Sequence, residues 1–299
     1  MRLTIRHETR YRFAQPASAI AQTLRLTPRG HDGQHVVRWR IDIDQDCRLR
    51  TAEDAFGNHV NSFTVDGAVD SLTVAVEGEV DTRDTGGVVR GAVERFPADL
   101  YLRETDLTTP DLEIAAFARE ATESESDPLG KLHALMSALH ERMTYDEEPT
   151  DSTTTAAQAF KLGRGVCQDI THVFLSCARS TGSPARYVGG YLLKSEGEPE
   201  GMTQSMGGMS QSLSRAPSPP LVQHAGHAWA EAFVPELGWV GFDAANCVCP
   251  TETYVRVALG LDYLGAAPVR GSRYGGGGET LEVDVVVQDA SALRAFRWG

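Results

Sequence analysis

The chain has 299 residues, of which 41% are hydrophobic and 23% charged, so it is long enough for one large or two ordinary domains around a substantial core. Its 28 basic and 41 acidic side chains give a net charge of −13, which argues against a nucleic-acid or anionic membrane surface as the partner. No stretch predicts a secretory signal or a transmembrane helix, and five cysteines are a sparse, odd set for a disulfide framework, so we expect a reduced, cytoplasmic protein.

Residues 1–90 alternate polar and apolar side chains with the period of β-strands. In HVVRWRIDI, for example, Val37, Trp39, Ile41 and Ile43 fall on one face, and turn sequences such as DAFGN separate the strands. These patterns predict a small N-terminal β-sandwich over residues 1–90.

The period changes to that of helices in the middle of the chain. TPDLEIAAFAREAT predicts a helix capped by Thr109 or Asp111, and DPLGKLHALMSALHERM predicts a second helix with Pro128 at an allowed first-turn position. A third, short helix is expected to end at Gly163. A fourth is predicted over about Cys167–Ser180, with one apolar face.

Strand patterns return near the end of the chain, in ARYVGGYLL, HAWAEAFV, WVGFDAAN and the tail ETLEVDVVVQD. The segment 195–221 is rich in Gly, Ser, Pro and Gln, which predicts either a flexible insertion near a site or an inert surface loop. We therefore assign residues 91–299 to a second domain, interrupted by this insertion.

Chemistry is concentrated around Cys167, in the sequence GRGVCQDITH. A helix N-terminus carries unpaired N–H groups and a partial positive charge, which favour the thiolate form of a cysteine. Gly163 and Gly165 suit a tight turn that brings the sulfur to a pocket. Core packing is the alternative reading of a cysteine that starts an apolar helix.

Two downstream residues supply the partners that a cysteine nucleophile requires. His227 begins one strand and Asp243 lies on the next, so an imidazole and an orienting carboxylate follow the thiol in the chain. Because side chains alternate along strands, Asp243 can reach His227 only if the hairpin loop after Val234 has an odd number of residues or a bulge. In that register Asp243 lies opposite Trp229.

The segments GRGVCQDITHVFLSCARSTGSPARYVGGYL and HAWAEAFVPELGWVGFDAAN resemble the transglutaminase-like core in its bacterial form, which has an added N-terminal domain. The resemblance covers roughly residues 95–260 and implies a papain-like α+β core, with helices packed on an antiparallel sheet. It also implies that Cys167 is the nucleophile, His227 the general base and acid, and Asp243 the residue that orients the imidazole.

Several residues are candidates to stabilise the oxyanion of an acyl-transfer reaction. The backbone N–H of Cys167 is the natural first donor, and Gln158, Tyr145 and Gln168 are the alternatives for the second. The expected reaction is attack of the sulfur on an amide, peptide or isopeptide carbon, followed by transfer of the acyl group to water or to an amine. We expect hydrolysis, because a polar insertion beside the site promises little exclusion of water.

Three further residues are expected near the site. Asp169 would pair with His172 or complement the helix start, His172 would be a core or supporting histidine, and Trp229 would shield the imidazole. A zinc site built from His224, His227, Cys247 and Cys249 is conceivable, but Cys-x-Cys is an uncommon ligand spacing. We predict no metal and no cofactor.

The sequence thus predicts a Cys-His-Asp enzyme that acts on a peptide, a protein or a small amide. The alternative is a transglutaminase-like fold that serves as a binding scaffold without catalysis. Composition and motifs leave the oligomeric state and the substrate undetermined.

Overall fold

The computed structural model describes residues 1–194 and 222–291, so the predicted insertion at 195–221 lies outside the described residues. The helices are α1 (Leu112–Thr122), α2 (Pro128–Arg142), α3 (Ala156–Leu162), α4 (Cys167–Ser180) and α5 (Tyr263–Ala266). The strands of the first half are β1 (Arg2–Thr27), β2 (Gln34–Ile43), β3 (Arg50–Glu53), β4 (His59–Thr82), β5 (Val88–Val89), β6 (Thr144–Tyr145) and β7 (Arg164–Gly165). The others are β8 (Ala185–Leu192), β9 (Val222–Gln223), β10 (His227–Val234), β11 (Gly238–Phe242), β12 (Tyr254–Gly260), β13 (Val269–Gly275) and β14 (Glu279–Asp289).

The helices begin and end where the sequence provides caps. The Asp111 carboxylate accepts a hydrogen bond from the backbone N–H of Ile114 at 2.8 Å and so caps α1. Pro128 occupies the first turn of α2, as predicted. Gly163 ends α3 with φ of 70°, a conformation that favours glycine. No helix within the described ranges is long and apolar enough to cross a bilayer.

Helix α4 is the centre of the helical core. Its residues from Asp169 to Arg179 are all buried, and it packs against α1, α2 and α3 on one side and against β8 and β10 on the other. The sheet under it has the strand order β12-β8-β10-β11-β5 with antiparallel pairing between neighbours. This arrangement, with helices on an antiparallel sheet, confirms the predicted α+β core.

A second, larger sheet contains both ends of the chain. Its order is β2-β4-β1-β14-β9, with β13 also paired to β1 and β3 to β4. Strand β14 pairs with β1 from Leu3 to Phe13, and β13 pairs with β1 from Ala17 to Leu24. The predicted boundary at residue 90 is therefore corrected: residues 269–289 belong to the sheet of the N-terminal strands. The cause is a pairing between residues that lie from 245 (Leu24 and Val269) to 286 (Leu3 and Asp289) positions apart, which leaves no local pattern in the sequence.

The two halves of the large sheet share one apolar cluster, and the sheet also packs against the core of the helical region. Strands β1 and β4 are interrupted near Ala17 and Val69, where their register shifts. Residues from both halves, such as Leu24 and Val74, are buried in one apolar cluster, so the strand-rich N-terminal region has an apolar core of its own. Leu3, Ile5, Val285 and other residues of the same sheet enter the apolar core of the helical region. The two parts therefore share a buried interface.

Candidate active site

Cys167 is the first residue of α4, as its sequence context predicts, and its side chain is partly exposed to a cavity of about 410 Å³. The structure explains why the two positions before it, 163 and 165, are glycines. Gly163 ends the preceding helix, and a Cβ at Gly165 would lie 2.6 Å from Oδ2 of Asp169. Only glycine leaves room for the turn that brings Cys167 to the start of the helix.

Asp169 fixes this turn. Its Oδ2 accepts hydrogen bonds from the backbone N–H of Val166 at 2.9 Å and from the Thr150 hydroxyl at 2.7 Å. Burial raises the pKa of Asp169, and these two hydrogen bonds oppose the rise. Of the two predicted roles, the geometry supports a contribution to the helix start.

His172 is a core residue. Its side chain is fully buried, and its Nε2 accepts a hydrogen bond from the backbone N–H of Tyr263 at 3.0 Å. Its ring lies against that of Tyr187, with centroids 5.3 Å apart. Burial lowers the pKa of His172 to about 4, so the ring is neutral at ordinary pH. This residue therefore supports the fold around α4.

His227 lies at the start of β10 and joins Cys167 to Asp243. Its Nε2 is 2.6 Å from Oδ2 of Asp243, and its ring lines the same cavity as Cys167, close enough for the two groups to interact electrostatically. Because Nε2 is bonded to the carboxylate, Nδ1 is the ring nitrogen left for the sulfur. Burial lowers the pKa of His227, but the Asp243 carboxylate and the interaction with Cys167 outweigh it and raise the pKa to about 10.

The hairpin register explains why Asp243 reaches His227. Val234 pairs with Gly238, which leaves a three-residue loop, and Ala230 pairs with Phe242. The odd-numbered loop confirms the parity required by the sequence argument and brings position 243 opposite position 229. The side chains of His227 and Asp243 then lie on the same face of the sheet, one diagonal step apart.

Asp243 is buried and accepts hydrogen bonds from five donors. The Tyr254 hydroxyl at 2.8 Å and the Asn246 side-chain amide at 2.7 Å both bind Oδ2, which also accepts from His227. The backbone N–H groups of Ala245 and Asn246 bind Oδ1. Burial favours the neutral acid, but the charge of His227 and these hydrogen bonds lower the pKa of Asp243, so it remains a carboxylate.

Tyr254 and Asn246 are site residues that the sequence argument missed. Asn246 follows Asp243 by three residues in FDAAN, and a turn after the strand was the available signal. Tyr254 lies on β12, which is adjacent neither to β10, the strand of His227, nor to β11, the strand that precedes Asp243. The spacing of these residues in the sequence therefore gave no signal. Trp229 lies beside His227 as predicted, with ring centroids 6.3 Å apart, and packs edge-on against Tyr254.

The oxyanion candidates divide into two groups. Cys167, Gln168 and Tyr145 line the same cavity, and Tyr145 pairs with Gly165 just before the helix start. Burial and then the neighbouring Cys167 raise the pKa of Tyr145, so its hydroxyl keeps the proton that it would donate. Gln158 is excluded by its position: it is exposed, and its Oε1 accepts from the backbone N–H of Thr155 at 2.9 Å as a helix cap.

The residues considered as zinc ligands are not assembled into a site. The side chain of His224 is 83% exposed, and its Nδ1 is 3.8 Å from an oxygen of Asp284. The nearest polar contact of the Cys247 sulfur is the Ser137 hydroxyl at 3.8 Å. Across residues 1–194 and 222–291, no group of three or more His, Cys, Asp and Glu side chains is arranged to hold a metal ion.

Two family models match the sequence. The one described as the bacterial transglutaminase-like N-terminal region matches residues 3–81, and the one described as the transglutaminase-like superfamily matches residues 115–244. An uncharacterized protein of Mycobacterium leprae is 29% identical over 297 residues, which cover 96% of this chain and 98% of that protein. An uncharacterized protein of Mycobacterium tuberculosis H37Rv is 27% identical over 316 residues, which cover 98% of this chain and 95% of that protein.

A solved structure from Cytophaga hutchinsonii, described as that of a candidate cysteine protease, has a similar fold. It matches with a TM-score of 0.71 over 97% of this chain and 91% of that chain, at 18% sequence identity. At that identity the likeness establishes the fold alone. Cys167, His227 and Asp243 all lie within the segment that the superfamily model matches.

Proposed function

Since this chain belongs to the transglutaminase-like superfamily and carries its bacterial N-terminal region, we propose that it is a cysteine-dependent acyl-transfer enzyme. One observation carries the proposal: Cys167 and His227 line one open cavity, close enough to interact electrostatically, and the Asp243 carboxylate holds the His227 ring at 2.6 Å. A nucleophile, a base and a group that orients the base are the parts that covalent acyl transfer requires.

Because its pKa is raised to about 10, His227 already holds the proton taken from the Cys167 thiol when the reaction begins at neutral pH. The sulfur attacks the carbonyl carbon of an amide, and the backbone N–H of Cys167 and the Tyr145 hydroxyl stabilise the negative charge that develops on the carbonyl oxygen. The imidazolium then donates its proton to the leaving amine, and the acyl group stays on the sulfur as a thioester. Asp243 holds the ring in one orientation and stabilises its positive charge throughout.

Water is the proposed acceptor of the acyl group. Glu147, Lys194 and His224 line the same cavity as Cys167, and such polar side chains keep water close to the thioester. His227 takes a proton from that water, hydroxide displaces the sulfur, and a carboxylic acid is released. Hydrolysis of peptide, isopeptide or small amide bonds is therefore proposed over transamidation.

The proposed setting is a reducing compartment, the cytoplasm. All five cysteines are free thiols in the described structure, and a nucleophilic Cys167 requires a reduced sulfur. No nucleic acid or membrane partner is proposed for a chain with a net charge of −13.

A peptide screen with mass detection tests the reaction. Glutamine-containing, γ-glutamyl and ordinary peptides are incubated with the full chain and an added primary amine, and the products are sorted into free acids and amine adducts. We expect free acids, formed by the natural protein and absent with Cys167→Ala. Amine adducts as the main product would contradict hydrolysis. No product with any peptide, together with a Cys167 thiol no more reactive than Cys47, would instead support a non-catalytic scaffold.

A further inference from the structure

One wall of the Cys167 cavity comes from outside the catalytic core. Tyr11 of β1, Val269 of β13 and Leu281 and Val283 of β14 line this cavity, and we call these four residues the cleft wall. Tyr11 pairs directly with Leu281 in the large sheet, so the wall is built by the two ends of the chain. Val269, Leu281 and Val283 lie outside both segments matched by the family models.

The cleft wall continues an apolar face that is buried elsewhere. Along β14, residues 281, 283, 285 and 287 point to one side of the sheet because side chains alternate. Val285 and Val287 are buried in the core shared with the helices. Leu281, which lies on the same face four residues before Val285, is 54% exposed. The same apolar stripe thus passes from a packed interface into the open cavity.

Two polar residues on this side of the cavity, His7 and Thr9, have hydrogen bonds within the fold. Nδ1 of His7 is 3.0 Å from the Tyr191 hydroxyl, and Nε2 of His7 is 3.0 Å from the Thr9 hydroxyl. Burial lowers the pKa of His7 to about 4, so the ring is uncharged. These two groups add no charge to the wall, and an apolar surface favours an apolar ligand group.

We propose that the cleft wall binds an apolar side chain of the substrate, next to the acyl carbon that Cys167 attacks. This inference rests on the proposed acyl-transfer function and assigns its substrate class: acyl groups from residues such as leucine or phenylalanine. A side chain of the substrate is the expected occupant, because the wall and the Cys167 sulfur line one cavity of about 410 Å³, which is large enough for one or two residues. Covering Leu281 and its neighbours removes apolar surface from water and stabilises the complex.

Peptidyl chloromethyl ketones test the inference without a known substrate, because the Cys167 sulfur displaces chloride and forms a stable thioether. Two series, acetyl-X-Gly and acetyl-Gly-X chloromethyl ketones, would carry Gly, Leu, Phe or Glu at X. We expect Leu or Phe to label Cys167 at least about 10-fold faster than Gly in one series, the factor that burial of one such side chain provides. Peptide mapping by mass spectrometry assigns the label to Cys167.

Variants of Leu281 assign the preference to the cleft wall. Leu281→Asp is expected to reduce the Leu-to-Gly ratio to within about threefold, whereas Leu281→Phe keeps the wall apolar and the preference high. Val37→Asp is the matched control, because Val37 is another exposed apolar residue of the large sheet, 39% exposed and not part of the cavity. It should leave the ratio unchanged.

Two results separate the inference from the proposed function. If iodoacetamide labels Cys167 rapidly but both ketone series react equally at all X, the cleft wall does not select apolar groups and the inference is overturned. If iodoacetamide labels Cys167 no faster than Cys47, the proposed function itself fails. A preference that survives Leu281→Asp unchanged also overturns the role of the wall.

Discussion

The corner that holds Cys167, His227 and Asp243 and the cleft wall face the same cavity but are built by different physical means. In the first, the Asp243 carboxylate accepts hydrogen bonds from five donors. In the second, apolar side chains from both ends of the chain present a surface without directed contacts. In the proposed function, the core carries out the reaction and the sheet around it selects the substrate.

This division has a kinetic consequence. Substitutions in the catalytic corner should lower kcat, because its hydrogen bonds act on charges that develop during the reaction. Substitutions in the cleft wall should change KM or the preference among substrates, because apolar contacts are present before and during the reaction. The predictions below follow the catalytic corner from its largest expected effect to its smallest.

Removal of the nucleophile is expected to have the largest effect. Cys167→Ala should lower kcat by roughly 10³-fold or more, because no other group on the cavity can form the thioester. The check is hydrolysis of any peptide found in the screen, with folding monitored by circular dichroism. Cys47→Ala is the matched control, since Cys47 belongs to the large sheet's apolar cluster and not to the cavity. Retention of activity in Cys167→Ala would contradict the role of Cys167 as the nucleophile.

Asp243→Asn should lower kcat by on the order of 10²–10⁴-fold, because the amide holds the imidazole in the wrong tautomer and does not stabilise its charge. The variant should also change the pH profile. In the natural protein the pKa of His227 is raised to about 10, so the imidazolium that protonates the leaving amine persists below that pH and is lost above it.

Without the Asp243 charge, burial still lowers the pKa of His227, and only the interaction with Cys167 is left to raise it. The alkaline limb of kcat should therefore move to lower pH in Asp243→Asn. The measurement is residual kcat against pH for both proteins. An alkaline limb at the same pH in both would contradict the assigned ion pair.

Tyr145→Phe tests the second oxyanion donor. Loss of the hydroxyl should lower kcat by about 10²-fold with little change in KM, because the donor acts on charge that appears only in the transition state. Steady-state kinetics on one peptide substrate measure both quantities. An equal rise in KM at constant kcat would instead assign Tyr145 to ground-state binding, and Gln168→Ala would then be the next variant to compare.

Gln158→Ala is expected to have the smallest effect. It removes one side of the capping box at the start of α3, which should lower the free energy of unfolding by about 0.5–1 kcal/mol. Activity should stay within about twofold of that of the natural protein, as measured beside a urea unfolding curve. A large loss of kcat at normal stability would return Gln158 to the active site.

The contrast between the two regions also explains how far the sequence carried the prediction. The start of α4 at Cys167 and the register that unites His227 with Asp243 follow from short-range rules: a helix start, alternation and loop parity. Gln158 was misassigned because its local role, a cap, has the same sequence appearance as a polar group near a site. Tyr254 was missed because it reaches Asp243 from β12, beyond any spacing rule.

The cleft wall could not be predicted from the sequence for a related reason. The tail ETLEVDVVVQD predicts a strand, but its alternation says nothing about which strand it joins. Its pairing with β1 spans nearly the whole chain, from Leu3 to Asp289. A domain boundary drawn from local patterns therefore separated two strands that share one sheet.

The central claim is that His227 activates Cys167, and the rate of alkylation of Cys167 at neutral pH tests it most directly. Iodoacetamide labelling is followed by peptide mapping in the natural protein and in His227→Ala, with Cys47 of each protein as the internal reference. We predict that Cys167 is labelled at least about 10-fold faster than Cys47 in the natural protein, and that this advantage is lost in His227→Ala. Equal rates for Cys167 in the two proteins would contradict the account.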